Sequence, residues 1–168
     1  MVHELAWVWV WHDLDVTLKV TSRVAEIFSN HQQKIGDNER GGQLFVDISC
    51  ADGLWLADAT LPHPDDQAST SWLIFDSDRC KQEIISANQQ GLRLVGYWHT
   101  HPEKTPNLSS QDIKSFNEFS LKNSDQLACP LAIIVGNGNN KNSVRVWSMQ
   151  GKKFILGTLI DEIITPTN

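Results

Sequence analysis

The sequence predicts an α+β domain: a single mixed β-sheet flanked by helices and sharing one hydrophobic core. Three observations point to it. Short segments of alternating apolar residues recur from Trp7 to Ile160, and stretches with helical apolar spacing interrupt them. The third observation is that no repeat or low-complexity linker divides the 168 residues, a length suited to one domain spanning 1–168 with a substantial core.

Trp7, Trp9 and Trp11 alternate with Val8 and Val10, which predicts a strand with its aromatics on one face and half-buried over the core. Asp13-Leu14-Asp15 is a turn, and Val16, Leu18 and Val20 form the returning arm of a hairpin. Thr21 or Ser22 caps a helix that presents Val24, Ile27 and Phe28 on one side and ends near Gln33. Strands follow at Gly42 to Ile48 and Leu54 to Thr60, around an Ala51-Asp52-Gly53 turn. Residues 62–69 read as a polar, solvated loop that includes His63 and the Asp65-Asp66 pair, and Trp72 to Phe75 as a short strand. A helix from Asp76 to about Gln90 offers Cys80, Ile84, Ile85 and Ala87 for burial, and Gly91 stands where a helix ends. Leu92 to Trp98 has the apolar character of a central strand. After a loop at 102–108, Ser109 to about Leu121 is helical, with Ile113, Phe116 and Phe119 turned inward. Leu131 to Val135, Ser143 to Met149 and Lys153 to Ile160 are strands, joined by a Gly-Asn hairpin turn at 136–140 and by Gln150-Gly151.

Composition excludes several function classes. The formal net charge is −6 and no block of Lys or Arg is present, which argues against phosphate-driven nucleic-acid binding. No apolar run approaches the roughly 20 residues that span a bilayer, and the first residues lack a signal-peptide pattern, so the expectation is a cytoplasmic protein away from the membrane. Cys50, Cys80 and Cys129 lie far apart, which fits neither a thiolate zinc site nor a disulfide framework. Nothing in the sequence points to a particular oligomeric state.

The chemistry concentrates in Trp98-His99-Thr100-His101-Pro102 and Ser109-Ser110-Gln111-Asp112. Residues i and i+2 of a strand share a face, so His99 and His101 project together from a strand end that Pro102 terminates. Asp112, in the first turn of the next helix, is the third candidate ligand. Two imidazoles and a carboxylate leave a zinc ion the open position that catalytic sites keep. Glu39, just ahead of Gly41 and Gly42, is the candidate general acid/base, at a strand entrance where glycines permit close approach of substrate. Each residue alone also has a plain structural reading. An H-x-H pair can be two core or surface histidines, Ser109 with Asp112 matches a capping box, and Glu39 can be one solvated loop charge. Trp98 is balanced between walling the site and filling the core.

Glu39 with Gly41-Gly42, then His99-x-His101-Pro102, then Ser109-x-x-Asp112 resembles the JAMM (JAB/MPN) zinc metallopeptidase signature in content, order and spacing, over roughly residues 20 to 135. The segments 39–45 and 98–102 look most like bacterial members encoded beside ubiquitin-conjugation homologues, including antiphage operons that signal through cyclic oligonucleotides. The resemblance implies the MPN/JAB fold with cytidine-deaminase-like layering. It implies that His99, His101 and Asp112 hold zinc, that Glu39 is the general acid/base, and that Ser109 donates a hydrogen bond to the tetrahedral intermediate. The implied activity is hydrolysis of a peptide or isopeptide bond behind the tail of a ubiquitin-like or conjugated protein, which makes the partner a protein substrate. Leu108 stands where many relatives carry Pro, and Val46 where many carry Gly; both bear on loop shape rather than on a ligand or the base. Two other functions stay open beside this one: trimming of a sulfur-carrier protein tail, and a metal-free MPN scaffold. Other H-x-H proteins fit poorly. Amidohydrolases need a barrel of typically ~250 residues, and a cupin needs a histidine after His101, which the sequence lacks.

Overall fold

The computed structural model of the chain describes residues 2–160. The strands are β1 (Leu5–Trp11), β2 (Val16–Thr21), β3 (Gly41–Asp47), β4 (Leu54–Ala59), β5 (Gln67–Ala68), β6 (Leu73–Ile74), β7 (Leu92–Thr100), β8 (Leu131–Val135), β9 (Val144–Gln150), β10 (Lys153–Leu156) and β11 (Thr158–Ile160). The α-helices are α1 (Ser22–Asn30), α2 (Ser77–Gln89) and α3 (Ser110–Lys122). The main sheet is mixed, in the order β10-β9-β8-β7-β3-β4-β2-β1-β11; β5 and β6 form a separate hairpin. Most neighbours are antiparallel, but β7 pairs parallel with β8 and β2 parallel with β4. Helices α3 and α1, respectively, lie in those crossovers, as parallel neighbours require.

Side-chain alternation divides the sheet into two faces. Leu131, Ile133 and Val135 of β8 join Leu44, Leu56, Trp98 and the α1 residues Val24, Ile27 and Phe28 in the main core, while Ala132 and Ile134 point the other way and meet Phe116 of α3. Trp9 and Trp11 are buried in the main core and Trp7 packs against it, the half-buried aromatic face that the alternation predicts. Trp98 is fully buried and donates from Nε1 to the Thr60 carbonyl (3.1 Å). It fills the core because alternation sends it to the face opposite its neighbour His99.

Several expectations need correction. The last strand is two strands, since Gly157 turns its N–H to the Val146 carbonyl (2.9 Å) and splits the segment. Because β10 and β11 lie on opposite sheet edges, this short connection wraps the sheet around the main core, helped by Trp11 Nε1 donating to the Ile155 carbonyl (2.8 Å). Ile85 and Ile113 are exposed rather than buried: Ala87 and Phe116 are the residues that face the sheet from their helices. The loop at 62–69 is not uniformly solvated. It contributes β5, and Asp66 is an anchored carboxylate.

That anchor is Arg79, a buried residue of α2. Its guanidinium donates to Asp66 from Nε (3.1 Å) and Nη2 (2.7 Å), to Glu83 from Nη1 (2.8 Å), and to the Gly41 carbonyl (3.2 Å). Asp66 also accepts the Asp76 N–H (2.8 Å), so the loop, α2 and the start of β3 are tied at one point. Burial would raise the Asp66 carboxyl, but the Arg79 guanidinium and these N–H donors outweigh it and hold the group below the ordinary carboxylate range. A carboxyl depressed in the fold contributes stability that is complete above its unfolded value of about 3.9 and is lost as pH falls through the folded value. Asp66→Asn is therefore expected to cost about 3 kcal/mol at neutral pH and to flatten the loss of stability below about pH 4. Urea midpoints measured across that range for both proteins test this; parallel acid limbs would contradict it.

Candidate metal centre

Strand register explains why four polar side chains separated in sequence meet. Gly41 of β3 lies opposite His99 of β7. One step outward, Arg40 and Thr100 exchange bonds: Thr100 N–H to the Arg40 carbonyl (2.9 Å) and Arg40 N–H to Thr100 Oγ1 (3.0 Å). A further step brings Glu39 beside His101, on the same face as His99. The His101 N–H reaches the Val135 carbonyl (3.0 Å), which extends the β7–β8 pairing by one residue past the strand.

The third segment is the start of α3. Ser109 is its N-cap, with its hydroxyl accepting the Asp112 N–H (3.1 Å) and its own N–H donating to Asp112 Oδ2 (2.7 Å), a complete capping box. The box fixes the Asp112 carboxylate against the histidines. Oδ1 lies 2.9 Å from His99 Nε2, Oδ2 lies 3.3 Å from His101 Nε2, and the two Nε2 atoms are 3.2 Å apart.

A divalent ion suits this donor set. His99, His101 and Asp112 each offer one ligand atom, all within 4.8 Å of one another, and all three residues are largely withdrawn from solvent. His101 Nδ1 is buried with no hydrogen-bond partner among the described residues, although a Glu103 carboxylate oxygen lies 3.9 Å away. With both Nε2 atoms turned to one point, a cation between them would satisfy lone pairs that otherwise face each other, and an N₂O set matches zinc. A second grouping, His3, Asp47 and Cys50, also falls within 4.8 Å. It is satisfied internally: Asp47 takes the Ser49 N–H and hydroxyl on Oδ1 (2.9 and 2.6 Å) and His3 on Oδ2 (2.8 Å).

Electrostatics favour an ionised Asp112. Burial opposes its charge, but hydrogen bonds from His101 and His99 and from the Ser109 N–H hold the carboxyl well below the usual range. Burial likewise opposes protonation of His101, and Asp112, Glu39 and Glu103 outweigh it, raising the imidazole. For Glu39 the balance goes the other way. Burial pushes its carboxyl up, and the pull of His99 and His101 only partly offsets this.

Glu39 lines one cavity with His99, Asp112, Ser71, Trp72, Leu73, Phe75, Tyr97 and Phe116. The apolar wall comes from the β5–β6 hairpin and from Tyr97 stacked on Phe116 at 4.3 Å between centroids. Ser109 is exposed and is not among the residues lining this cavity. His63 lies outside it too, beside Asp65 (3.8 Å). The hairpin residues 71–75 carry no motif that links them to the histidines, so only the fold reveals them. Nor is it substrate that comes close to the two glycines. A Cβ at Gly41 would collide with the Trp98 carbonyl, and one at Gly42 with the Thr60 carbonyl, so the protein's own strands occupy that space.

The family model for prokaryotic homologs of the JAB domain matches residues 21–150, which include all of these side chains. The chain belongs to this family. A CD-NTase/cGAS isopeptidase from Pseudomonas aeruginosa (strain BWHPSA011 / Pa011) is 32% identical to this JAB protein over 139 residues, covering 76% of this chain and 82% of that one. A second CD-NTase/cGAS isopeptidase, from Enterobacter hormaechei subsp. hoffmannii (strain UCI 50), is 26% identical over 121 residues, covering 71% of this chain and 67% of that one. Among solved structures, the solution structure of protein DSY2949 from Desulfitobacterium hafniense superposes with a TM-score of 0.59 at 16% identity, over 82% of this chain and 87% of that one, a likeness of fold. Among the described residues, no helix is long and apolar enough to cross a membrane.

Proposed function

We propose that this JAB protein is a cytoplasmic, zinc-dependent isopeptidase that releases a CD-NTase-like protein from lysine conjugates, reversing a ubiquitin-like conjugation in antiphage defence. The observation that carries the proposal is the shared cavity: Glu39 opens onto the same space as His99 and Asp112. Similarity to two proteins named as CD-NTase/cGAS isopeptidases supports the choice of bond and substrate.

In this reading His99, His101 and Asp112 would hold the zinc ion. When bound, zinc would supply Lewis acidity, lowering the pKa of a water beside it to about 7. Glu39 accepts the proton of the attacking water at its carboxylate and hands it to the departing lysine amine. Its partly desolvated position suits this, because burial raises the carboxyl above its ordinary range and makes the carboxylate a stronger base toward the proton of the water. Ser109 stands beside this cavity rather than in its lining; its hydroxyl accepts the Asp112 N–H, which leaves the hydroxyl hydrogen for an oxyanion that develops on the Asp112 side of the site. Leu73, Phe75, Tyr97 and Phe116 wall the cavity and limit water around the reacting bond.

The test is a defined conjugate in which the C-terminal carboxylate of a CD-NTase is joined to the ε-amine of a lysine-containing peptide. The zinc-loaded protein is expected to release the two parts, with a chelator abolishing release and added zinc restoring it. A loaded, folded protein that leaves the conjugate intact would overturn the assignment of substrate.

A further inference from the structure

Glu39 belongs to no strand. It lies in the irregular segment 37–40 that leads into β3, just past the last ladder pair at Gly41 and His99, so the register aims it but no ladder bond of its own holds it. Main-chain bonds to other parts of the fold hold the segment instead. The Glu39 N–H donates to the Ser69 carbonyl (2.8 Å), and Arg40 uses both its N–H and its carbonyl on Thr100. The Asp37 carbonyl accepts from the side chain of Gln33 (2.9 Å).

Gln33 is fully buried, as is Thr100. Thr100 stands between the two histidines, and its hydroxyl donates to Gln33 Oε1 (2.9 Å) while accepting the Arg40 N–H. Gln33 Nε2 spends its two hydrogens on the Asp37 carbonyl and on the Thr70 carbonyl (3.1 Å). Three segments therefore meet on one carboxamide: the strand carrying the histidines, the segment carrying Glu39, and the turn at 69–72. Ser71 and Trp72 of that turn line the cavity with Glu39. A buried amide is costly unless its hydrogen bonds are complete, and here they are. Thr100 is β-branched, which restricts its χ1 and keeps the hydroxyl from swinging away.

We propose that Gln33 and Thr100 are positioning residues whose side chains form one buried clamp, holding the Glu39 carboxylate in register with His99 and His101 and, through Gln33, seating the turn that borders the cavity. The kinetic part of this claim rests on the isopeptidase reading; the structural part does not. The two residues differ in reach. The Thr100 hydroxyl bonds the Arg40 N–H and Gln33 Oε1, so its loss should misplace the base. Gln33 also holds Thr70, so its loss should disturb substrate binding as well. A displacement of about 1 Å in a reacting group can cost about 10²-fold in rate.

The experiment compares Thr100→Val, Thr100→Ser and Gln33→Met with wild type in zinc content, in kcat and KM on the lysine-linked conjugate, and in amide hydrogen exchange at Glu39 and Arg40 by NMR. Thr100→Val is expected to keep its zinc and KM, lose about 10- to 100-fold in kcat, and speed exchange at Arg40 at least about tenfold. Thr100→Ser should restore kcat to within a few-fold. Gln33→Met should lower kcat, raise KM, and speed exchange at both amides. A zinc-loaded Thr100→Val with wild-type kcat and slow Arg40 exchange would overturn the proposal, as would a Gln33→Met that leaves both amides protected. Should Thr100→Val fail to fold, Thr100→Ser and Gln33→Met decide on the same readouts. If wild type does not cleave the conjugate, the isopeptidase reading fails and the exchange data alone decide whether the clamp exists.

Discussion

Glu39→Gln is expected to lower kcat on the lysine-linked conjugate by about 10²–10⁴-fold, the usual contribution of a positioned acid/base, while bound zinc stays at the wild-type level. The substitution preserves volume and leaves the Glu39 N–H bond to Ser69 in place, so the segment should keep its path. The altered oxygen lies in the cavity but outside the His99, His101 and Asp112 grouping, which is why metal content should not follow activity. What the amide lacks is a site of useful basicity. Paired measurement of kcat and zinc content distinguishes this from a binding defect, because loss of both together would make Glu39 a ligand. Wild-type turnover by Glu39→Gln would remove it from the chemistry altogether.

His99→Ala is expected to abolish both zinc retention and cleavage without unfolding the chain. His99 points to the α3 side of the sheet, away from the main core that Trp98 anchors on the opposite face. Removing it leaves one imidazole and one carboxylate, too few to retain the ion through purification. Ligand linkage supplies a second measurement. Free zinc at about 1,000 times its Kd stabilises a binding fold by about 4 kcal/mol, so added zinc should raise the unfolding midpoint of wild type and leave that of His99→Ala unmoved. An equal rise in both proteins would place the ion elsewhere, with His3, Asp47 and Cys50 as the other grouping to examine.

Much of this arrangement was legible in the sequence where a short-range period governs it. Alternation along β7 separates Trp98 from His99 and aligns His99 with His101, and the S-x-x-D spacing at a helix start puts Asp112 in the first turn. The same alternation sends the tryptophans of β1 to the core. Features set by pairing between distant segments were not legible. That Glu39 stands beside His101 follows from the antiparallel register of β3 with β7, and no local pattern encodes that register. Gln33 and Thr100 look like ordinary polar residues until the fold buries them together. Asp66 looks like a loop charge because its partner Arg79 lies in the next helix. The break of the last strand at Gly157 reflects sheet closure, which requires β10 and β11 to reach opposite edges.

The claim beneath all of this is that one zinc ion sits among His99, His101 and Asp112 within reach of Glu39. Anomalous diffraction at the zinc absorption edge, from crystals of the zinc-loaded protein, tests it most directly. A single strong peak bounded by the two Nε2 atoms and the Asp112 carboxylate, with Glu39 facing it across the cavity, is the result expected. A zinc-loaded crystal with its peak at another site, or with Glu39 turned away from the ion, would contradict it.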